Sequence, residues 1–413
     1  MRHQHEVSPV ALSAEAYSQP LVRALFTTIP AFGHFSPLVP LAAAMQDAGH
    51  EVAVATAESF GGSVSRAGLE FIPAGVDMAE AMSTLRDLHP EYATLSPEEL
   101  SRRVVPDFFV GVYAPAFLAD ASRLLSWRPD VVVREEGEFA GPAVAALANV
   151  PCVDHGWGGP RRPRELVDAA ARALEPVFKS VGLDPLPSGG AYQWLYLEPC
   201  PPSLQPADAD EVPGARPIRP CSPPSRSAQG TPEWLDRLGD RVVYITLGTV
   251  PFFTADIEFF RAAIAAARDE AAEVVVTVGP AGDPSVLDPQ PENVHVERYL
   301  PQAEVLPHCA VVVSNGGSGS TLGALSAGVP LMIIPSSSPS QLRNARAVAA
   351  TGIGRTLDRA DVTVDRLGAE LHALLHDSSY RVAAERVAAE IATMPPPEEV
   401  VGLIESLTEP AGQ

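Results

Sequence analysis

Apolar runs and helical patterns alternate along the chain in a regular order. Residues 21–28 form a mostly apolar run that ends at a tight turn, residues 29–34. Apolar positions then recur at helical spacing from Leu38 to Met45, before a second apolar run at residues 51–56. A strand, a turn, a helix and a strand in this order form a βαβ unit, which predicts a parallel sheet.

The same alternation continues through both halves of the chain. Further strands are predicted at residues 71–73, 130–134, 150–153, 241–247, 273–278, 294–299, 310–314 and 330–334. Helical patterns separate these runs. The two halves share the alternation of strands and helices but no repeated sequence. We therefore predict an α/β protein of two Rossmann-like, doubly wound domains that face each other across a cleft.

The amino-acid composition changes sharply in the segment between the two predicted domains. Ten of the 35 residues from Glu198 to Pro232 are prolines. Because proline lacks a backbone donor and fixes φ, we expect an extended crossover here, without helix or sheet. The predicted organisation is a polar lead-in at residues 1–20, a first domain at 21–198, a linker at 199–232 and a second domain at 233–413.

Charge and length narrow the classes of function. The chain has 413 residues, which suits two domains, and a net charge of −22 that repels phosphate backbones and anionic lipid. We therefore expect neither nucleic acid nor a membrane as a partner. No apolar stretch approaches the ~20 residues of a membrane span, and the first 20 residues lack the apolar segment of a signal peptide. The cysteines are far apart, at Cys152, Cys200, Cys221 and Cys309, so we expect a reduced, cytoplasmic protein without a cysteine metal site.

A glycine-rich turn between an apolar strand and a helix is the strongest local motif, residues 314–325 with the sequence SNGGSGSTLGAL. Glycines let backbone N–H groups approach a ligand, and the start of the helix favours negative charge. The motif indicates a phosphate site, although the glycines could serve packing alone. It lacks the lysine of a Walker loop and the spacing of the dinucleotide-binding fingerprint, which disfavours a dehydrogenase.

His34 lies in the first turn between a strand and a helix, in the sequence GHFSP. Ligands of doubly wound sheets bind at the carboxyl ends of strands, where a histidine can act as a general base. The alternatives are a solvated loop histidine or a helix cap. His155, beyond another strand end, is a secondary candidate.

Carboxylates follow the predicted strand at residues 130–134, as Glu135 and Glu136. A carboxylate beside a histidine fixes its tautomer and stabilises the imidazolium that forms on proton uptake. Acidic residues are common in a chain with 51 of them, so spacing alone gives this role little weight.

Several motifs in order resemble the GT-B glycosyltransferases of bacteria that decorate natural products such as polyketides, macrolides and enediynes. The resemblance runs from about Ala24 to Leu407. Its motifs are residues 29–37 with the Gly-His pair, TLGT at 246–249, YLPQ at 299–302, LPHC at 306–309, the glycine-rich turn followed by GALSAGVP, and QLRNA at 341–345.

The resemblance implies roles for individual residues. His34 matches the base that deprotonates the acceptor, and Glu135 falls where the family often has an orienting Asp. The implied donor-binding residues are Thr249, Tyr299, Gln302, Asn315, Gly317, Ser318, Gly319, Ser320, Ser340 and Gln341. Tyr299 would lie near the nucleotide base of the donor. Thr249 and residues 317–320 would hold the diphosphate, and Gln341 would hold sugar hydroxyls. Asn315 replaces a His expected at the diphosphate, and Ser340 replaces a sugar-binding Asp in a segment about one residue longer than typical.

The implied function is inverting transfer of a sugar, expected to be a deoxysugar on thymidine diphosphate, to a hydroxyl of a small hydrophobic aglycone. The first domain would bind the aglycone and the second the nucleotide sugar, which is a substrate, so no cofactor or metal is expected. A homodimer is compatible with the sequence. The alternatives are a catalytically silent homologue that acts as a binding protein, and a sugar-nucleotide epimerase of the same fold.

Overall fold

The computed structural model describes most of the chain. The described residues are 21–207, 209–222, 232–239, 241–250, 254–270, 273–336 and 338–409. The predicted lead-in at residues 1–20 lies outside them, as do residues 223–231 of the predicted linker.

Seven parallel strands form the sheet of the first half. They are β1 (Arg23–Thr27), β2 (Glu51–Thr56), β3 (Glu70–Pro73), β4 (Val131–Glu135), β5 (Cys152–His155), β6 (Leu195–Glu198) and β7 (Ala215–Pro217). Their order is β3-β2-β1-β4-β5-β6-β7, so β1 lies between β2 and β4. From β1 the chain adds β2 and β3 on one side and then β4 to β7 on the other side, as in a doubly wound sheet.

Six parallel strands form a second sheet. They are β8 (Val242–Thr246), β9 (Glu273–Thr277), β10 (Val294–Glu297), β11 (Cys309–Ser314), β12 (Leu331–Ile333) and β13 (Gly354–Thr356). Their order is β10-β9-β8-β11-β12-β13, which places β8 beside β11 at the centre. The predicted fold class, with two α/β domains built on parallel sheets, is therefore confirmed.

Helices cover both sheets. In the first half they are α1 (Phe32–Phe35), α2 (Val39–Asp47), α3 (Gly61–Arg66), α4 (Met78–Leu88), α5 (Pro97–Arg103), α6 (Ala114–Leu118), α7 (Ala121–Ser126), α8 (Gly141–Ala148) and α9 (Arg164–Ser180), with a π-helical stretch at Val104–Tyr113. After β8 they are α10 (Ile257–Ala267), α11 (Gln302–Val305), α12 (Ser318–Ser326), α13 (Pro339–Thr351), α14 (Val364–His376), α15 (Ser378–Thr393) and α16 (Pro397–Thr408). None of the helices in the described ranges has the length and apolar character needed to cross a bilayer.

The central strands are apolar on both faces because each sheet is covered on both sides. Ala24 and Phe26 of β1 pack in one core with α2, while Leu25 packs in the core on the opposite face. This two-sided burial explains why these strands appear in the sequence as continuous apolar runs.

The prediction that the proline-rich crossover contains no sheet is wrong for three residues. β7 pairs in parallel with β6, with Pro217 opposite Glu198, and forms the outer edge of the first sheet. An edge strand has one unpaired side, so a proline can lie there without breaking the ladder.

The last helix returns to the first half. Val400, Val401 and Ile404 of α16 are buried in the core of the first sheet, among residues of β1, β2 and α2. His50 Nε2 lies 2.9 Å from Glu405 Oε1, and the N–H of Arg219 in the crossover donates to Pro395 O at 2.7 Å. The domain limits at 198 and 232 stay a prediction, and α16, which lies in the predicted second domain, packs against the first sheet.

Replacing Ile404 with Ala tests whether α16 stabilises the first half. Ile404 is fully buried, so we expect a loss of about 2–5 kcal/mol in the free energy of unfolding. Leu403→Ala, at a neighbouring side chain that is 37% exposed, is the control and should cost far less. Hydrogen exchange should show faster exchange in β1 and β2 for Ile404→Ala. Faster exchange confined to the second sheet would contradict the packing described here.

Candidate active site

Three neighbouring strands of the first sheet bring His34, Glu135 and Trp157 to one edge. His34 lies in α1, directly after β1, while Glu135 ends β4 and Trp157 follows β5. Because β1, β4 and β5 are adjacent and parallel, their carboxyl ends meet at this edge. His34 Nδ1 lies 3.0 Å from Glu135 Oε1, so the structure brings together the two residues predicted as base and orienting carboxylate.

Glu135 is fully buried, and its hydrogen bonds favour its charged form. Its Oε2 accepts hydrogen bonds from the Gly137 N–H and from Trp157 Nε1, each at 2.5 Å. Burial opposes ionisation, but the charge of His34 and these hydrogen bonds outweigh it and hold the pKa of Glu135 below its ordinary value. The carboxylate is thus held in one orientation toward the histidine.

The ring of His34 is held on two sides and open at one nitrogen. It packs edge-on against Trp157, with ring centroids 4.5 Å apart, and lies 6.1 Å from the ring of Phe109. With Nδ1–H donating to Glu135, the lone pair lies on Nε2, which has no hydrogen-bond partner among the described residues. His34 Nε2 can therefore accept a proton from a bound hydroxyl.

His155 does not fit the role of a second base. It is buried, its Nδ1 bonds the carbonyl of Gly156 at 2.8 Å, and burial lowers its pKa to about 4. The side chain of this segment that contacts both His34 and Glu135 is Trp157, which the sequence analysis did not select. The sequence feature that could have identified Trp157 is its position just past a strand end, two residues after His155.

The glycine-rich turn follows β11 and leads into α12, which begins at Ser318. Gly316 has a φ of +80°, a conformation that glycine adopts without strain. The N–H groups of Ser318, Gly319 and Ser320 belong to the first turn of the helix and have no acceptor within it. Apart from the adjacent residues and the backbone of the helix itself, no atom lies within 4 Å of the position that a Cβ of Gly319 would occupy, so a ligand has room there.

Asn315 holds the turn together. Its Nδ2 donates to the carbonyl of Leu247 at 2.9 Å, and its Oδ1 accepts from the Gly317 N–H at 3.1 Å. Leu247 lies just beyond β8, so the asparagine joins the ends of two adjacent strands. Each of its two polar side-chain atoms thus bonds backbone, and the contact of Asn315 with a diphosphate stays a prediction. Thr249 lies two residues further along the same loop and is half-buried.

The segment after β10 returns to the glycine-rich turn. Gln302 Nε2 donates to Ser320 Oγ at 2.9 Å, which joins α11 to the first turn of α12. Tyr299 lies three residues earlier and its side chain is 58% exposed, so its ring is available to a ligand. A flat ring and a set of free N–H groups therefore lie on the same edge of the second sheet.

The residues predicted to hold sugar hydroxyls lie at the start of α13. Gln341 is buried, and its Oε1 accepts from the Ser336 N–H at 3.0 Å. Ser340 Oγ lies 3.0 Å from Ser338 Oγ. The two hydroxyls that could replace the expected carboxylate are therefore neighbours.

The two edges meet at a seam formed by Gly159 of the first half and the starts of α12 and α13. A methyl group on Gly159 would lie 2.8 Å from Asn344 Oδ1 and 3.2 Å from Ser318 Oγ. Asn344, which the sequence analysis did not select, donates through Nδ2 to the carbonyl of Gly316 at 2.7 Å. The loop after β5 thus connects the histidine site with the glycine-rich turn.

Family models match most of the chain. The N-terminal domain model of the "Erythromycin biosynthesis protein CIII-like" family matches residues 43–248, and its C-terminal domain model matches residues 261–407.

Individual relatives share the same length and fold. The L-demethylnoviosyl transferase of Streptomyces niveus is 32% identical over 385 residues, which cover 92% of this chain and 96% of the relative. The glycosyltransferase SnogD of Streptomyces nogalater matches with a TM-score of 0.73 and 30% identity, over 94% of this chain and all of SnogD. The spinosyn rhamnosyltransferase SpnG, complexed with thymidine diphosphate, matches with a TM-score of 0.75 and 28% identity, over 92% of this chain and 99% of SpnG. The chain belongs to the erythromycin CIII-like family of GT-B glycosyltransferases, enzymes of natural-product biosynthesis.

Proposed function

We propose that this enzyme transfers a deoxysugar from thymidine diphosphate to a hydroxyl of a small hydrophobic aglycone, with inversion at the anomeric carbon. The observation that carries the proposal is the His34–Glu135 pair at one edge of the seam, with the free N–H groups of α12 at the other edge. A base and a site for a leaving diphosphate on opposite sides of a cleft suit a direct displacement.

On the acceptor side, His34 Nε2 takes the proton of the hydroxyl as its oxygen attacks the anomeric carbon. Glu135 stabilises the imidazolium through the 3.0 Å contact to Nδ1. Because Glu135 is anchored by Gly137 and Trp157, the imidazole keeps one tautomer and one orientation throughout the step.

On the donor side, the bond from the anomeric carbon to the diphosphate breaks and negative charge collects on the leaving oxygens. The N–H groups of Ser318, Gly319 and Ser320 are oriented toward that charge before the reaction begins. Tyr299 stacks on the pyrimidine base, and residues 317–320 hold the diphosphate.

An aromatic side chain beside His34 supports a hydrophobic acceptor. Phe109 of the π-helical stretch is half-buried, and its ring centroid lies 6.1 Å from that of His34. Buried aromatic rings support it, since the centroid of Phe108 lies 5.3 Å from that of Phe109 and that of Tyr113 lies 5.1 Å from that of Phe108. Met78 of α4 accepts a hydrogen bond from the Tyr113 hydroxyl at 3.5 Å. A partly exposed aromatic ring binds flat or apolar ligands through contact area rather than through specific hydrogen bonds.

Two observations favour a deoxysugar. A carboxylate at position 340 would accept hydrogen bonds from two sugar hydroxyls, and a sugar that lacked one of them would leave the buried charge without a partner. Ser340 has a short neutral side chain, so a sugar without that hydroxyl carries no such cost. Among the relatives, SpnG is a rhamnosyltransferase with a structure that contains thymidine diphosphate.

Release of nucleoside diphosphate tests the reaction directly. The wild-type enzyme should release thymidine diphosphate from a nucleotide sugar only when an aglycone is added. Release together with epimerised sugar in the absence of aglycone would favour an epimerase. Nucleotide binding without any turnover over a broad acceptor panel would favour a silent homologue.

His34→Ala should lower turnover by about two to four orders of magnitude, because the reaction loses its general base. The affinity for thymidine diphosphate, measured by calorimetry, should stay within about twofold of the wild-type value. His34 lies in the first half of the chain, whereas the proposed nucleotide site lies in the second. Glu135→Gln should cost less, and His372→Ala, at an exposed histidine of α14, serves as the control. Near-normal transfer by His34→Ala would contradict its role as the base.

Trp157→Phe should lower turnover by about tenfold or more, because one hydrogen bond to the buried carboxylate is lost while the aromatic ring is kept. The affinity for thymidine diphosphate should not change. Trp194→Phe, at a side chain that is 52% exposed, is the matched control. A rise in KM for the aglycone with unchanged turnover would mean that Trp157 binds the acceptor and does not orient Glu135.

A donor panel tests the sugar. We expect thymidine diphosphate deoxysugars to give higher kcat/KM than UDP-glucose, because polar sites discriminate strongly by the hydroxyls that they pair. Ser340→Asp should shift the preference toward the fully hydroxylated sugar. Equal or better use of UDP-glucose by the wild-type enzyme would refute the deoxysugar preference.

A further inference from the structure

Two arginine side chains, one from each half of the chain, approach each other at the seam. Arg162 follows β5 and lies over the ring of Trp157, with 4.7 Å from its guanidinium carbon to the ring centroid. Arg343 belongs to α13 and is the residue before Asn344. The two guanidinium groups are near enough for the charge of one to affect the ionisation of the other.

Each of these arginines has a buried donor without a partner. Arg343 Nε and Arg162 Nη2 are shielded from solvent, and neither has a hydrogen-bond partner among the described residues. Arg162 does bond the carbonyl of Glu136 through Nη1 at 2.9 Å, but its Nη2 lies 3.9 Å from Glu136 Oε1, beyond hydrogen-bond distance. A buried donor that lacks an acceptor is costly, so a ligand that supplies acceptors would be bound favourably.

The charge of Arg162 acts on the buried guanidinium group of Arg343. Burial and the charge of Arg162 lower the pKa of Arg343 to about 10, and Glu136, Tyr192 and Tyr196 oppose this effect. Even so, Arg343 stays protonated at neutral pH. Two cations, Arg162 and Arg343, therefore lie near Glu136, in a chain with a net charge of −22.

The arginine pair lies between the two parts of the active site. Asn344, next to Arg343, bonds the carbonyl of Gly316 and lies 3.2 Å from Ser318 Oγ, at the first turn of α12. Trp157, below Arg162, bonds Glu135. Arg343 is therefore the neighbour in sequence of a residue that bonds the glycine-rich turn, and Arg162 lies over the ring that bonds Glu135.

We propose that Arg162 and Arg343 bind the diphosphate of the nucleotide sugar from both sides of the seam. The proposal rests on the proposed function and adds the cationic part of the leaving-group site. The glycine-rich turn supplies neutral donors only, and Asn315 is bonded to backbone, so these guanidinium groups supply the positive charge that a departing diphosphate requires. Because each half contributes one arginine, a bound diphosphate also draws the halves together.

Calorimetry with three probes tests this assignment: thymidine diphosphate, thymidine and inorganic pyrophosphate. Arg343→Gln and Arg162→Gln should each weaken binding of thymidine diphosphate by about 10- to 100-fold, the effect of losing hydrogen bonds between charged groups. Binding of thymidine should be unchanged in both variants. Arg346→Gln is the matched control, because it removes the same charge from an exposed position on the same helix and should change affinity less than twofold.

Thermal unfolding distinguishes a ligand site from a packing contact. Without ligand, Arg343→Gln should melt at the same temperature as the wild type or higher, because a buried cation without a partner is removed. The rise in Tm caused by thymidine diphosphate should be smaller in this variant. A lower Tm without ligand combined with unchanged affinity for thymidine diphosphate would overturn the proposal, and so would an equal loss of affinity for thymidine.

The two proposals can fail separately. If the wild-type enzyme transfers sugar and Arg343→Gln binds thymidine diphosphate normally, the arginine site is wrong and the proposed function stands. If the wild-type enzyme transfers no sugar but binds pyrophosphate in an Arg343-dependent manner, the proposed function is wrong and the anion site stands. Absence of binding of both phosphate probes to the wild-type enzyme would overturn the arginine site.

Discussion

Parallel pairing of strands is the constraint on which this active site depends. In a parallel sheet every strand delivers its carboxyl end to the same edge, so residues distant in sequence become neighbours there. β1, β4 and β5 bring His34, Glu135 and Trp157 together in this way, and β8 and β11 join Leu247 to Asn315 in the second sheet. The order of the strands decides which residues can form the buried hydrogen bonds of the site, and the loops set the positions of the side chains.

Much of this arrangement could be predicted from the sequence, because it depends on local patterns. The apolar runs marked the strands to within a few residues, and the carboxyl ends of strands identified His34, Glu135 and the turn at Gly316. Three strands were not predicted: β6, β13 and β7. β6 and β13 have only four and three residues, too few for a periodic signal, and β7 has three residues at a sheet edge beside prolines. Its pairing depends on the exposed edge of β6, which is a tertiary property.

Contacts between residues distant in sequence could not be predicted from the sequence. Trp157 bonds Glu135 and Asn344 bonds the carbonyl of Gly316, and no local pattern distinguishes either residue from ordinary helix or loop residues. The side chain of Asn315 was expected to face a ligand, yet it bonds the carbonyl of Leu247, which no local pattern connects to it. Buried polar atoms find partners wherever the fold provides them, so such roles emerge only from the packed structure.

The return of α16 to the first sheet has a consequence for how the protein is made. The core that contains β1 also contains Val400, Val401 and Ile404, which are synthesised after the strands of both sheets. During synthesis, the first sheet therefore exposes apolar surface until α16 has been made, whereas the strands of the second sheet are already complete. The core of the half that is synthesised first is thus the last to be completed.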